Sequence, residues 1–525
     1  MIFYDDTCCQ IYRGHALDVL ARLPTESVQC CVTSPPFFGL RKYRGKQEEV
    51  WDGKAGCGHE WGKELVKIGA HHADETNPDK EGYTKDKNQW PNQQGQFCTK
   101  CGAWHGGFGL EPSVELYIAH SIEVLRAIRR VLKPDGTCYW NIGDSYASGK
   151  GTCFNPGGGD NSLEGHAHLK DAKAYPLDRG NKSTLKKSGL KPLDLCGIPY
   201  KVGLAAQADD WYWRSMIHWI KPNPMPESVN GWRWEKHKVK VGDNSAKLQK
   251  RYNTIESHGG ATLPGLAHMV PVEWQDCPGC PKCSPNDGLV LRKGAWRPTK
   301  CVEYVLLLAK SANNYGDKEA VVEKYTEPLN RWGGDTFDSI YIEKAEEMGL
   351  GRVGWASTMR AGREGRPHPE GRNLRNAWTF PTESCAFAGE HFAAFPEELP
   401  RRCILAGTSE KGNCPKCGKS WARVVEVSQS ARHSTEDRDS QLYGDGAHRG
   451  KHAEPAESKT LGWRATCRCG LEPEPATVLD PFCGTGTTLA VAKSLGRRAI
   501  GIDISEQYCR LSQQRVKAIP LPMRM

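Results

Sequence analysis

Two short segments at opposite ends of this chain combine residue types that could bind a ligand and activate it. Residues 480–488 read Asp-Pro-Phe-Cys-Gly-Thr-Gly-Thr-Thr. Glycines let the backbone approach a ligand closely, and the N-terminus of a helix offers free N–H groups to an anion. Asp503, at the end of the next predicted strand, suits ribose hydroxyls. An ordinary strand-to-helix turn and a dinucleotide site are the alternatives, and the missing Gly-x-Gly-x-x-Gly spacing disfavours the second.

The second segment, residues 33–37, reads Thr-Ser-Pro-Pro-Phe. Its prolines fix the backbone and lack N–H donors, so that carbonyl oxygens stay free to accept hydrogen bonds. An exocyclic amine of a nucleobase is a poor nucleophile because its lone pair is delocalised into the ring. The Ser34 hydroxyl and the Pro35 carbonyl could hold its two hydrogens, and Phe37 could stack on a base extruded from a duplex. A rigid turn with Phe37 in the core is the alternative.

Closely spaced cysteines are a third chemical signal, because many of the 22 cysteines occur in pairs. Without a secretory signal, such pairs favour zinc ligands over disulfides, with free loop cysteines as the alternative. Closed sites with four ligands would be structural rather than catalytic. The middle group has three cysteines, and His258, His268 or a distant residue could complete it. The candidate ligands are Cys57, His59, Cys98 and Cys101; Cys277, Cys280 and Cys283; and Cys414, Cys417, Cys467 and Cys469.

Regular elements must bring the two end segments together. Residues 27–33 predict a buried strand, and residues 477–503 predict a strand, a loop, a helix and a second strand. An apolar helix face from Glu111 leads to a predicted strand at 137–146. The sequence thus predicts an α/β fold with a mostly parallel sheet, whose ligands bind at the carboxyl ends of adjacent strands.

The two motifs together resemble the beta group of DNA amino-methyltransferases, which act on N4 of cytosine or N6 of adenine. In that group the catalytic half precedes the half that binds S-adenosylmethionine (SAM). The resemblance implies a Rossmann-like core, direct methyl transfer from SAM to a flipped base, and double-stranded DNA as partner. Further matching segments are Trp211–Lys221 and residues 223–226, 297–300, 303–310 and 391–407.

The resemblance also implies roles for single residues. The predicted catalytic residues are Ser34, Pro35, Pro36 and Phe37. The residues predicted to contact SAM are Thr33, Phe395, Asp480, Pro481, Phe482, Gly484, Gly486, Thr487, Thr488 and Asp503.

Two departures from the family pattern bear on these roles. Gly14-His15 stands where the family commonly has Gly-Asp, so that no acidic contact to the cofactor is assigned there. Ser34 stands where adenine-specific members usually have aspartate. The serine favours cytosine N4 as the target, with adenine N6 as the alternative.

The predicted organisation alternates core segments with insertions. Trp232-Arg233-Trp234 and five arginines suggest DNA contact, although a solvated basic surface is the alternative. Those arginines are Arg360, Arg363, Arg366, Arg372 and Arg375. The core comprises 1–44 (catalytic half), 109–146, 191–226, 296–315, 377–411 (closing over SAM) and 473–525 (SAM-binding half). The insertions are 45–108 (zinc-binding), 412–472 (zinc ribbon), 147–190 (flexible loop), 227–295 (cysteine group and possible target recognition) and 316–376 (possible target recognition).

Composition limits the remaining function classes. A net charge of +9 mildly favours a polyanionic partner. The sequence has no apolar run long enough for a membrane span and no signal peptide, which predicts a cytoplasmic protein. The family resemblance implies a bacterium or phage as its source and association with the nucleoid. A zinc-ribbon nucleic-acid-binding protein with an inactive core is the rival from another class, and the intact motifs argue against it. The oligomeric state is not predicted.

Overall fold

The computed structural model describes twelve stretches of the chain: residues 1–39, 48–62, 65–68, 91–146, 190, 194–224, 232–241, 273–292, 296–323, 372–383, 395–427 and 458–520. His258, His268, nearly all of 147–190, Arg360, Arg363, Arg366 and most of the segment 316–376 lie outside the described residues. Every helix in the described part of the chain is too short or too polar to cross a membrane.

The strands, in chain order, are β1 (Ile2–Asp5), β2 (Cys9–Arg13), β3 (Val28–Thr33), β4 (Glu48–Trp51), β5 (Leu65–Ile68), β6 (Pro91–Phe97), β7 (Trp104–Gly107), β8 (Leu132–Ile142), β9 (Tyr212–Ile220), β10 (Arg233–Lys236), β11 (Lys238–Val241), β12 (Glu273–Asp276), β13 (Leu289–Arg292), β14 (Val302–Ala309), β15 (Ala377–Thr379), β16 (Ala422–Val427), β17 (Ser458–Arg464), β18 (Thr477–Asp480) and β19 (Arg498–Asp503). The helices are α1 (Ala16–Arg22), α2 (Val114–Val131), α3 (Ile198–Ala208), α4 (Glu398–Gly407), α5 (Thr487–Ser494) and α6 (Glu506–Ala518).

A nine-stranded sheet forms the core, with the strand order β1-β2-β19-β18-β3-β8-β14-β9-β15. The five neighbours from β2 to β8 run parallel to one another. β14 runs antiparallel to β8 and β9, and β1 runs antiparallel to β2. The mostly parallel α/β fold predicted from the sequence is confirmed.

Helices cover both faces of this sheet, as a parallel sheet requires. Side chains alternate along β3, so Cys31 belongs to the buried cluster that contains α1, α2 and α3 residues. Cys30 and Val32 belong to the cluster on α4, α5 and α6. All six residues of β3 are buried. The strand that the sequence predicts to be buried therefore packs on both of its faces.

Three element boundaries differ from the sequence prediction, and one of them is the start of β8 at Leu132 rather than at residue 137. Helix α2 begins at Val114 rather than Glu111, because the Ser113 side chain caps it by accepting a hydrogen bond from the Leu116 N–H at 3.2 Å. Strand β8 ends at Ile142 rather than at residue 146. The next residue, Gly143, lies against the Phe37 ring, where an added Cβ would be 2.8 Å from Cε2.

In the part of the chain that the structure describes, three smaller antiparallel units interrupt the core. The first is the four-stranded sheet β4-β7-β6-β5. The second consists of the pairs β10–β13 and β11–β12, and the third is the pair β16–β17. Each of these units carries one of the cysteine groups.

Candidate active site

The two end segments of the chain meet at the carboxyl ends of two central strands, β18 and β3. β18 inserts between β19 and β3, and Leu479 is paired with Cys31. The Thr33 hydroxyl donates a buried hydrogen bond of 2.6 Å to Asp480 Oδ1. The Thr488 hydroxyl donates to the Val32 carbonyl at 3.3 Å. Connections leave β18 and β3 in different directions here, and in open α/β sheets such a point forms the ligand crevice.

The loop between β18 and α5 is shaped by two glycines in the left-handed region. Gly484 has a φ of 49°, and an added Cβ there would meet nothing within 4 Å. Gly486 has a φ of 78°, and a Cβ there would lie 2.2 Å from Ser512 Oγ on α6. The first glycine therefore borders open space, while the second is required because α6 packs closely.

Two carboxylates flank this loop. Asp503, which is partly buried, accepts hydrogen bonds from the Gly484 N–H at 3.0 Å and from the Ser505 N–H at 2.8 Å. Loss of water around the carboxylate raises the pKa of Asp503 to about 7, against the lowering effect of those N–H groups. Burial likewise raises the pKa of Asp480 to about 6, although Thr33 and the Phe482 N–H donate to it. Each Asp503 oxygen accepts one of the two N–H hydrogen bonds and keeps a further lone pair for a ligand.

The Ser-Pro-Pro-Phe segment leaves the end of β3 as a braced loop. The Tyr117 hydroxyl donates to the Pro36 carbonyl at 2.9 Å. The half-buried Phe37 ring packs against Gly143. Pro35 is buried and Ser34 is partly exposed. The loop is therefore fixed along its length, while the serine side chain keeps access to solvent.

A network of polar side chains connects Ser34 to strands β8 and β14 of the sheet. Asn141 Nδ2, on β8, donates to Ser34 Oγ at 3.3 Å and to Glu303 Oε2, on β14, at 3.2 Å. The carboxylate can only accept, which fixes the orientation of the Asn141 amide. Glu303 also forms an ion pair with Lys221, whose ammonium lies 4.6 Å from the centroid of the Trp219 ring. This chain of groups determines which atom of Asn141 faces the serine.

The segment before α4 is tied to the glycine loop. Phe395 is half-buried and packs against the cluster on the α4 side of the sheet. Two residues on, Glu397 Oε1 accepts from Arg515 Nη2 at 2.7 Å, and Arg515 Nη1 donates to Thr487 Oγ1 at 2.8 Å. Arg515 therefore links the segment that carries Phe395 to the first turn of α5.

Comparison with known proteins decides the family of this chain. A family model described as DNA methylase, covering N6/N4 methyltransferases, matches residues 28–414 and 471–514. The chain belongs to the N6/N4 DNA methylase family.

Individual relatives of this DNA methylase span nearly its whole length. The type II methyltransferase M.XycI of Xanthomonas campestris pv. cyanopsidis is 31% identical over 507 residues, covering 97% of this chain and 87% of that protein. The type II methyltransferase M.SmaI of Serratia marcescens is 23% identical over 508 residues, covering 97% and 90%. Among solved structures, PvuII DNA methyltransferase (cytosine-N4-specific) aligns over 98% of this chain and 88% of that chain, at 12% identity and a TM-score of 0.38.

Among the described residues, the methylase also has three groups of cysteine and histidine side chains that could bind a metal, all outside this site. In each group the four ligand atoms lie within 4.8 Å of one another. The first and third groups contain the residues expected from the sequence. The second gains His237, at the junction of β10 and β11, as its fourth member. The groups are Cys57, His59, Cys98 and Cys101; His237, Cys277, Cys280 and Cys283; and Cys414, Cys417, Cys467 and Cys469.

Sequence reasoning did not find every residue of the site. Asn141, Glu303 and Lys221 lie in segments that were predicted as core strands without any chemical role. His237 stands 40 residues before Cys277, and the pairing of β11 with β12 brings the two together. Polar residues at strand ends were the available signal for the first three. Phe482, predicted to contact the cofactor, has its ring 5.7 Å from Phe108.

Proposed function

We propose that this methylase transfers a methyl group from SAM to the exocyclic N4 of a cytosine flipped out of double-stranded DNA. The observation that carries the proposal is the junction of the two motifs, in which the Thr33 hydroxyl donates to Asp480 at 2.6 Å. That junction sets the glycine loop and the Ser-Pro-Pro-Phe loop side by side at the carboxyl ends of β18 and β3.

The residues around the glycine loop fit SAM. Asp503 would bind the ribose hydroxyls through its remaining lone pairs, and the open space at Gly484 would admit the ligand. Phe395 would close the pocket, held near it by Glu397 and Arg515. SAM, when bound, supplies an electrophilic methyl group. The remaining residues proposed to shape its pocket are Thr33, Asp480, Pro481, Phe482, Gly486, Thr487 and Thr488.

The catalytic loop would orient the target amine. Ser34 Oγ and the Pro35 carbonyl would accept its two hydrogens, which turns the nitrogen lone pair toward the methyl donor. Asn141 donates to the serine oxygen and leaves it a second lone pair for the amine. Phe37 would stack on the base, while Pro36 keeps the loop rigid. Positioning of this kind supplies much of the rate in such transfers.

The choice of base rests on Ser34, since adenine-specific relatives usually have aspartate at this position. The test is to methylate plasmid DNA with labelled SAM, digest it to nucleosides and separate the products. Labelled N4-methylcytosine supports the proposal. N6-methyladenine would assign the enzyme to the alternative target, and the absence of any methylated nucleoside would support an inactive nucleic-acid-binding core instead.

Structural zinc is the second part of the proposal. Each of the three groups offers four donors with close mutual spacing, which suits a closed tetrahedral zinc site without an open position for chemistry. The second unit also exposes Trp234 beside Arg233 and Lys236, which suits contact with DNA. Metal analysis of the purified protein should find about three zinc ions per chain.

A further inference from the structure

We infer that the first cysteine-histidine unit holds the catalytic loop in position, whereas the third unit is anchored near the amino-terminal ends of β3 and β8. The first unit comprises β4 to β7 with Cys57, His59, Cys98 and Cys101. The inference rests on the proposed function, because it assigns one metal-binding unit to the support of the proposed catalytic residues.

The first unit is joined to α2 by stacked rings. The His120 ring, fully buried on α2, stacks on Trp51 at 4.5 Å and on Trp104 at 5.4 Å between centroids. Trp51 ends β4 and Trp104 begins β7, directly after the Cys98–Cys101 turn. Glycines at 95 and 106 make room for the Trp104 ring, since a Cβ there would lie 2.4 Å and 2.2 Å from it. The rings of Trp51 and Trp104, close in sequence to the metal-binding residues, therefore pack against His120 of the core in one aromatic stack.

A chain of polar contacts runs from the same stack to the catalytic loop. His120 Nε2 lies 3.3 Å from Asp52 Oδ2 in the first unit, and His120 Nδ1 lies 3.0 Å from Glu111 Oε1. Glu111 Oε2 accepts a hydrogen bond from the Gly109 N–H at 2.8 Å. The Gly109 carbonyl in turn accepts from the Gly39 N–H at 2.9 Å, just beyond Phe37.

Direct packing reinforces this link. Gly109 has a φ of 89°, and a Cβ there would lie 3.0 Å from the Pro36 Cβ. The Phe108 ring lies 5.2 Å from the Tyr117 ring, and Tyr117 donates to the Pro36 carbonyl. Phe108 also lies 5.7 Å from Phe482 in the glycine loop. The turn that follows β7, at Phe108 and Gly109, thus packs against both motifs, with Tyr117 and Glu111 as positioning residues.

The third unit contacts the other end of the same strands. Asn413 Nδ2 donates to Gln29 Oε1 at 2.7 Å, at the start of β3. Ser420 Oγ donates to Asp135 Oδ2 at 3.4 Å, near the start of β8. At about 3.3 Å per residue, β3 separates these contacts from the catalytic loop by roughly 15–20 Å. Loss of the third unit should therefore affect stability without displacing Ser34.

Matched ligand substitutions test the inference. Cys101→Ser in the first group and Cys417→Ser in the third should each lower the zinc content, measured by elemental analysis. Cys101→Ser should reduce kcat for DNA methylation by roughly tenfold or more, because small misplacements of a reacting group are costly. Cys417→Ser should keep kcat within about twofold of the wild-type value. Equal losses of kcat in the two variants, or full kcat in a zinc-depleted Cys101→Ser protein, would overturn the inference.

A second variant avoids any dependence on folding of the first unit. Tyr117→Phe keeps the packed ring and removes only the hydroxyl that holds the Pro36 carbonyl. Loss of one such hydrogen bond should lower kcat by roughly three- to tenfold, while the Kd for SAM and the zinc content stay unchanged. An unchanged kcat would contradict the positioning role. Failure of the proposed function would be distinct, because the wild-type enzyme would then form no N4-methylcytosine.

Discussion

The Thr33 hydroxyl donates to Asp480 Oδ1 at 2.6 Å, although 447 positions separate the two residues in the chain. This bond is buried and joins the last residue of β3 to the last residue of β18. The bond fixes the relative position of the two loops, on which the proposed methyl transfer depends.

Asp503 should give stability a defined pH dependence. Its ordinary pKa of 3.8 is raised to about 7 by loss of water, so the folded state binds its proton more tightly than the unfolded chain does. Its favourable contribution to the free energy of unfolding is fully present below about pH 4 and is lost as the pH rises through about 7. Asp503→Asn removes this titration, so the wild-type protein should lose about 1–2 kcal/mol of stability relative to the variant between pH 5 and pH 8.

The same substitution should weaken SAM binding, because an amide replaces the acceptor proposed for the ribose hydroxyls. Urea denaturation at pH 5 and pH 8 and calorimetric titration with SAM measure the two effects. Asp18→Asn, on the exposed side of α1, is the control and should change neither quantity. A parallel shift of the Asp503→Asn and wild-type stability curves with pH would be inconsistent with this account.

Glu303 should act on catalysis through Asn141. Glu303→Ala removes the acceptor that orients the amide, and kcat should fall by roughly tenfold with little change in the Kd for SAM. Glu303→Gln keeps an acceptor oxygen and should recover part of the loss. Steady-state kinetics with separate titration of DNA and SAM measures both variants.

A matched control for Glu303 lies just before the amino-terminal end of β3. Glu26 Oε1 is 3.1 Å from Lys310 Nζ, so Glu26→Gln also breaks an ion pair with a lysine but does so far from Ser34. It should leave kcat at the wild-type value. If Glu26→Gln and Glu303→Ala lowered kcat alike, the effect of Glu303 would be a general loss of stability.

Arg515 should affect the cofactor rather than the base. Arg515→Met breaks the contacts to Glu397 and Thr487, which frees the segment that carries Phe395. The KM for SAM should rise by roughly three- to tenfold while the KM for DNA stays constant. Arg510→Met, which removes an exposed ion pair with Glu506 on the same helix, is the control. A change in the KM for DNA alone would contradict the assignment.

The sequence supported the α/β class and the family because both motifs are local and combine several residue types in a fixed order. It did not reveal the polar contacts that connect Ser34 to Lys221. These contacts form because β14 pairs between β8 and β9, and that pairing is long-range in sequence. The sequence did not identify His237 as a ligand either, because the long-range pairing of β11 with β12 brings it close to the cysteines. The brace formed by Tyr117 and Glu111 was hidden because both residues lie in a segment that reads as an ordinary amphipathic helix and its approach.

The central claim is that the two loops form one methyl-transfer site in which Ser34 orients the amine. The most direct measurement compares wild type and Ser34→Ala on the same DNA with labelled SAM, by nucleoside analysis and by calorimetric SAM binding. We expect labelled N4-methylcytosine from the wild type and none from Ser34→Ala, with equal SAM affinity. Full methylation by Ser34→Ala would contradict the account.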